Sequence, residues 1–179
     1  MQTSVGKAIC DIREMDSLIE TALEVFRGAT LQEPPQRTDV FALVQAITDD
    51  LAELKQPVSL AGRSAVALVQ PMALRRVLVN LVGNALRHGQ RADVTVHSEP
   101  KAVRITVDDQ GPGIPPEALE SVMQPFFRLD ASRSRDTGGC GLGLYIAREL
   151  VVRHGGSLTL ENRPQGGLRA TVLLPREPH

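Results

Sequence analysis

The chain has 179 residues, 42% hydrophobic and 23% charged, enough apolar material for one buried core, so disorder by composition is ruled out. Its 20 Lys and Arg stand against 21 Asp and Glu, so no overall charge draws it to nucleic acid or to an anionic surface, and any phosphate site must be local. Cys10 and Cys140 have neither metal-ligand nor disulfide spacing, no apolar run approaches the ~20 residues that span a bilayer, and no signal-peptide pattern opens the sequence, which together point to a reducing, cytoplasmic setting.

Residues 4–27 read as one amphipathic helix, because Val5, Ile9, Ile12, Asp16, Ile19, Leu23 and Phe26 alternate four and three apart. Such a seam is marginal alone in water and calls for a helical partner. Gly28 and Ala29 end it, and Pro34-Pro35 make residues 30–37 an extended linker. The expected organisation is therefore a helix over 1–29, a linker over 30–37 and a globular domain over 38–179.

In that domain Thr38 or Asp39 is placed to cap a helix over 40–53, with Phe41, Val44, Ile47 and Leu51 as its buried stripe. Residues 58–60 and 65–69 read as short strands around an Ala61-Gly62 turn. Pro71 suits the first turn of the next helix, which runs to Gly89. At ~3.6 residues per turn, Leu74, Leu78, Leu81 and Ala85 share one side of this helix. Asn80, Asn84 and Arg87 share the other, with His88 at its edge. Two carboxamides one turn apart followed by a cation suit phosphate oxygens and a hard cation, for which one Asn carbonyl oxygen is a sufficient protein ligand beside phosphate and water. Considered alone, the pattern also fits a solvated helix face.

Residues 94–97 and 103–108 alternate like adjacent strands, and the second leads into Asp109-Gln110-Gly111-Pro112-Gly113-Ile114. A carboxylate at a strand end, followed by two glycines, lets backbone approach a flat ligand closely and offers an acceptor to an exocyclic amine such as that of adenine; a plain turn with an Asx cap has the same residues. Residues 116–123 suggest a short helix, followed by Gln124-Pro125-Phe126-Phe127-Arg128. Residues 129–139 are almost without apolar side chains and read as a mobile loop. It opens into Gly139-Cys140-Gly141-Leu142-Gly143-Leu144 and a helix to about His154, buried through Leu144, Ile146, Ala147, Leu150 and Val151. A glycine-rich loop feeding a helix N-terminus offers free N–H groups and a positive dipole end to an anion, and Arg128, Arg133 and Arg135 are within chain reach of it. Residues 157–161 and 168–174 complete the strands around Gly166-Gly167, placing Thr171 inside the sheet.

The ordered set NxxxNAxRH, DxGxGI, QPFFR and GxGLGL resembles the ATP-binding catalytic domain of sensor histidine kinases, in the wider gyrase, Hsp90, histidine kinase and MutL superfamily, over residues 38–176. The resemblance implies a Bergerat-type ATP-binding fold, an α/β two-layer sandwich with a mixed sheet of about five strands and three helices, preceded by a separate amphipathic helix. It makes Asn84 the Mg²⁺ ligand with Asn80 beside it, Arg87 a phosphate contact, and His88 a neighbour of the base or ribose. Asp109 would read the adenine amine; Gly111, Gly113 and Ile114 would shape the base pocket. Phe126 and Phe127 would anchor a lid over residues 127–139, with Arg133 and then Arg128 reaching the γ-phosphate. Gly139, Gly141, Leu142, Gly143 and Leu144 would line the phosphates, with Thr171 also in the ATP- or ADP-binding set. Residues 8–27 are similar to the second dimerisation helix of EnvZ-type osmosensing kinases, which supplies the missing partner for the seam.

Two departures qualify the resemblance. The family's phosphoacceptor histidine is followed directly by an acidic residue, and His88, His97, His154 and His179 all lie outside such a context. Transfer would then be to a histidine on a partner or on a longer parent, for relay to a response regulator, with a homodimer expected in the parent and the cytosolic side of an inner-membrane sensor as its location. Cys140 replaces the commoner Thr of the last glycine box and reads as a tolerated small residue. A serine kinase of the anti-sigma type and a non-catalytic ATP-sensing or dimerisation module are the alternatives.

Overall fold

The computed structural model describes residues 33–129 and 141–176. The predicted helix over 4–27, and Arg133, Arg135, Gly139 and Cys140 of the loop, lie outside the described residues.

Strand β1 (Gln36–Asp39) begins inside the segment read as linker and pairs antiparallel with β3 (Val66–Val69), Gln36 facing Val69 and Asp39 facing Val66. Helix α1 (Val40–Glu53) follows directly. Asp39 is its cap: one carboxylate oxygen accepts from Phe41 N at 3.0 Å and Ala42 N at 3.3 Å, satisfying amides that the helix leaves open. The Ser64 hydroxyl donates to the other oxygen at 2.7 Å, and this bond, against a smaller effect of burial, holds the Asp39 carboxyl below its usual range. The buried stripe of α1 is Val40, Val44, Ile47 and Thr48, while Phe41 and Leu51 are only part-buried at its margin.

Strand β2 (Val58–Gly62) does not turn back on β3 as expected. It pairs in parallel with β4 (Ala92–Ser98), Val58 against Ala92 through Gly62 against Val96. Gly62 sits at φ 121°, and a Cβ there would lie 2.1 Å from the Val96 carbonyl oxygen, so this glycine serves close strand approach. Helix α2 (Pro71–Gly89) connects β3 to β4 and buries Leu74, Val77, Leu78, Leu81, Val82 and Ala85. Each fully buried Leu or Val of this stripe contributes roughly 1.5–3 kcal/mol of transfer free energy, which holds the opposite, Asn-bearing face in place.

Strands β5 (Ala102–Asp108), β6 (Ser157–Asn162) and β7 (Leu168–Pro175) complete a five-stranded mixed sheet in the order β2-β4-β5-β7-β6, in which every pair except β2–β4 is antiparallel. The expected short helix over 116–123 is two single 3₁₀ turns, Pro116–Ala118 and Ser121–Met123. Helix α3 (Gly143–Arg153) buries Ile146, Ala147 and Val151, with Leu144 and Leu150 part-buried at the core's edge.

Alternation fixes which sheet face meets the helices. Val103, Ile105 and Val107 of β5 and Leu168, Ala170, Val172 and Leu174 of β7 are buried, while the residues between them are not. On the other face the pairing aligns Thr95, Thr106, Thr171 and Thr159 across four strands. The described residues thus form the expected α/β two-layer sandwich, helices on one sheet face only.

Candidate functional site

Helices α2 and α3 and the sheet enclose a small slot lined by Leu81, Asn84 and Ala85 of α2, Val107 of β5, Leu144 of α3, Leu160 of β6, and Leu168 and Ala170 of β7, with Asp109 beneath. Apolar walls around a single carboxylate suit a flat aromatic base presenting one donor.

Asp109 is 5% exposed, one of two buried polar residues among those described. Its Oδ1 accepts from Gly111 N at 2.8 Å and from Leu168 N at 3.0 Å. Its backbone N–H donates to the Leu168 carbonyl at 2.9 Å, and its own carbonyl accepts from Arg163 Nη1 at 2.5 Å. These bonds fix the side chain before any ligand arrives and leave Oδ2 as the oxygen for one.

Three glycines permit this packing. A Cβ on Gly89, the last residue of α2, would lie 2.3 Å from the Asp109 Cβ; one on Gly111 would lie 2.7 Å from the His88 carbonyl; one on Gly167, at φ 92°, would lie 2.0 Å from the Asp109 carbonyl. Neither Gly89 nor Gly167 was among the sequence-predicted site residues. Their signal was present as the glycine closing α2 and the paired glycines of the β6–β7 turn.

The phosphate side is less completely paired. Asn80, one turn before Asn84, has a buried Nδ2 without a hydrogen-bond partner among the described residues, and its Oδ1 would be 3.7 Å from a Cβ on Gly143. Asn80 thus lies under the first turn of α3, where Leu142 occupies the cap position and, among the described residues, no side chain caps the open amides. An unpaired amide donor beside uncapped helix N–H groups suits an anion carrying several oxygens.

The remaining predicted residues take distinct places. Arg87 and His88 are exposed at the C-terminal end of α2. Loss of water around the His88 ring lowers its pKa below the ordinary 6.5, the Arg87 cation adds to this, and Asp109 opposes it. The imidazole therefore favours its neutral form beside the slot. Gly113 and Ile114 lie on the far wall of the Asp109 loop, where both backbone groups of Ile114 bond the Asn162 side chain. Phe126, at φ 64°, is 65% exposed and donates its N–H to the Gly141 carbonyl at 3.1 Å, tying the QPFF turn to the last glycine box; Phe127 is half-buried. Thr171 does not reach the slot: its neighbours Ala170 and Val172 take the helix-facing side, and period-two alternation turns Thr171 to the open sheet face. The slot's apolar walls, Leu81, Ala85, Val107, Leu160, Leu168 and Ala170, were also absent from the predicted set, although the alternation of β5 and β7 places Val107 and Ala170 on the side of the sheet beside Asp109.

The profile of the family described as "Histidine kinase-, DNA gyrase B-, and HSP90-like ATPase" matches residues 69–178, a stretch that contains every described site residue above. The chain belongs to that family. Its ATP-binding fold accounts for the base slot and the anion-ready helix end together. Curated relatives include the sensor histidine kinase GtrS of Pseudomonas aeruginosa, 39% identical over 93% of this chain and 34% of that protein, and the sensor histidine kinase CpxA of Escherichia coli, 42% identical over 59% of this chain and 23% of that protein. The chain thus spans about a third or less of the length of these relatives. Among solved structures, the histidine kinase domain of the Escherichia coli osmosensor EnvZ is 30% identical with a TM-score of 0.65, covering 83% of this chain and 92% of that one. The mycobacterial sensor histidine kinase MprB shares the fold, with a TM-score of 0.69 at 23% identity over 81% of this chain and 99% of that one.

Among the described residues no helix is long and apolar enough to cross a membrane. Nor do they gather three or more His, Cys, Asp or Glu side chains into a metal site.

Proposed function

We propose that this chain is the ATP-binding catalytic portion of a two-component sensor histidine kinase, donating the γ-phosphoryl group of ATP to a histidine outside this domain, for relay to a response regulator. The observation that carries the reading is the juxtaposition of the Asp109 slot with the orphaned Asn80 amide and the uncapped N-terminus of α3, which offers one compact surface to a base and to a polyphosphate. Sensor histidine kinases among the relatives support the reaction class, and none of those named above supports the serine-kinase alternative.

In this reading Asp109 Oδ2 accepts from the adenine amine, while Leu81, Ala85, Val107 and Leu168 exclude water from the ring. His88 flanks the base or ribose as a neutral ring. Asn80 donates to phosphate oxygens, as do the first amides of α3. Asn84, on the slot's wall, supplies the oxygen for Mg²⁺, and the donor set fits: neutral carboxamides bind a hard cation without competing for the charge on the phosphates. Bound Mg²⁺ would neutralise charge developing on the transferred group. Arg87, Arg128 and Arg133 are the proposed guanidinium contacts, the last lying outside the described residues. The acceptor's imidazole nitrogen forms the new bond to phosphorus as the bond to the β–γ bridging oxygen breaks, and ADP leaves. Catalysis then rests on positioning and charge, with no covalent step on this chain.

We place the acceptor elsewhere because none of the described histidines, His88, His97 and His154, is followed by an acidic residue, and His154 in addition has both ring nitrogens engaged, by the Leu150 carbonyl at 2.6 Å and by Gln70 N–H at 3.0 Å. In the parent we place the domain on the cytosolic side of an inner-membrane sensor that acts as a homodimer. The test is incubation with γ-labelled ATP and Mg²⁺, with and without a separately made phosphoacceptor helical hairpin. Label on the hairpin's histidine, and none on this chain alone, is the expected result; nucleotide binding without transfer would reduce the domain to an ATP sensor.

A further inference from the structure

The hairpin joining β6 to β7 supplies two side chains that no nucleotide-binding motif of this chain includes. Asn162, the last residue of β6, accepts from Ile114 N–H through Oδ1 at 2.8 Å and donates through Nδ2 to the Ile114 carbonyl at 2.6 Å. The carboxamide thus copies the two-bond exchange of a strand pair, at a place where the loop has no strand to pair with. Gly113, at φ 77°, leaves room for it, since a Cβ there would lie 2.6 Å from Asn162 Oδ1. Arg163 comes next, and its Nη1 donates to the Asp109 carbonyl at 2.5 Å. Its guanidinium also lies 3.5 Å from Asp108 Oδ2, in a carboxylate that Arg169 engages through both oxygens with bonds of 2.7 and 2.6 Å. Consecutive hairpin residues therefore hold the loop at both ends, Arg163 at Asp109 and Asn162 at Ile114. Between these anchors lie only Gln110, Gly111, Pro112 and Gly113, with Gly111 bonded to the Asp109 carboxylate.

We propose that Asn162 and Arg163 are positioning residues that set base specificity, holding the Asp109 loop in the register that aims its free carboxylate oxygen at an adenine amine. The inference deepens the ATP reading and rests on it. Neither residue lines the slot, and in this reading each acts through the Asp109 loop. A loop released from this clamp keeps its carboxylate but loses its aim, so the loss falls on discrimination between bases and spares the phosphate contacts at the far end of the site.

The full chain carrying Asn162→Ala, and separately Arg163→Ala, is titrated calorimetrically with Mg-ATP and with Mg-GTP. Asn162 is exposed at a strand end, so its removal leaves the core intact. Thermal unfolding and a Gln165→Ala control at the hairpin tip separate local release from loss of fold. Release of the loop at either anchor misaims the Asp109 carboxylate and makes ATP binding weaker by about fivefold to twentyfold in either variant, with GTP binding within about twofold of wild type and the ATP:GTP ratio falling accordingly. The control should keep the wild-type ratio. Equal losses for both nucleotides, or an unchanged ratio with the variant folded, would overturn the clamp while leaving the ATP reading intact. A wild-type chain that binds ATP and GTP alike would instead overturn the ATP reading, and the proposal with it.

Discussion

The two ends of the site are built in opposite ways. At the base end Asp109 is held by two backbone amides, an arginine and glycines that admit no Cβ, so its geometry is fixed by the protein alone. At the phosphate end, among the described residues, Asn80 keeps an unpaired buried amide and α3 begins without a side-chain cap, so polar groups are left for a ligand to satisfy. The difference assigns separate tasks: the rigid end selects the base at little cost on binding, and the unsatisfied end gains hydrogen bonds that form only when phosphate is present.

The most severe way to break this comparison is to spoil the fixed end. Gly167→Ala adds a Cβ 2.0 Å from the Asp109 carbonyl at a φ of 92°, and the strain should destabilise the domain by about 2–4 kcal/mol in denaturant unfolding. Displacing Asp109 should also weaken ATP binding by about a hundredfold, read by titration under conditions where the variant remains folded.

Asp109→Asn is gentler, because it keeps the size and one acceptor oxygen but loses the charge and adds a donor. If the amide oxygen takes the place of Oδ1, its NH₂ faces the adenine amine. ATP affinity should fall by roughly tenfold to a hundredfold, about 1–3 kcal/mol, and preference over GTP should erode. Asn84→Ala moves to the other end: Mg-ATP binding should weaken by about tenfold and metal-free ADP binding much less, because the carbonyl serves the cation. Equal losses in the two titrations would make Asn84 a scaffold residue.

The smallest expected effect sharpens the contrast most. Asn80→Leu removes a buried amide that lacks a partner, so the ligand-free domain should be unchanged or more stable by about 1 kcal/mol, while ATP binding falls a few-fold. Destabilisation of the ligand-free domain would mean that Asn80 is paired there after all, and that both ends are finished in advance.

How far the sequence carried this picture follows the range of the interactions. Helix faces, the β4–β5 and β6–β7 pairs and the Asp39 cap are set within a few residues, and period and cap chemistry revealed them. The β2–β4 and β1–β3 pairings join strands far apart in the chain, so the Ala61-Gly62 pair passed for a turn when Gly62 in fact lies tight against Val96. At the site, Asn80, Asn84 and Asp109 were legible because their motifs are local. Thr171 was misplaced because a one-residue step in a strand exchanges faces, and only the register of β7 decides which face meets the helices. Asn162 and Arg163 were illegible for a related reason: their partners lie 48 and 54 residues away, and nothing in their own neighbourhood announces them.

The central claim, that the base end is formed before the nucleotide arrives and the phosphate end only with it, is tested most directly by residue-resolved amide hydrogen exchange on the free chain and on its ATP complex. The account predicts that the Gly111 and Leu168 amides, both bonded to Asp109 Oδ1, are protected without ligand and change little on adding ATP, whereas the Gly143, Leu144 and Tyr145 amides of the first turn of α3 exchange fast until ATP slows them. Fast exchange at Gly111 and Leu168 that ATP suppresses, with the first turn of α3 already protected in the free chain, would contradict it.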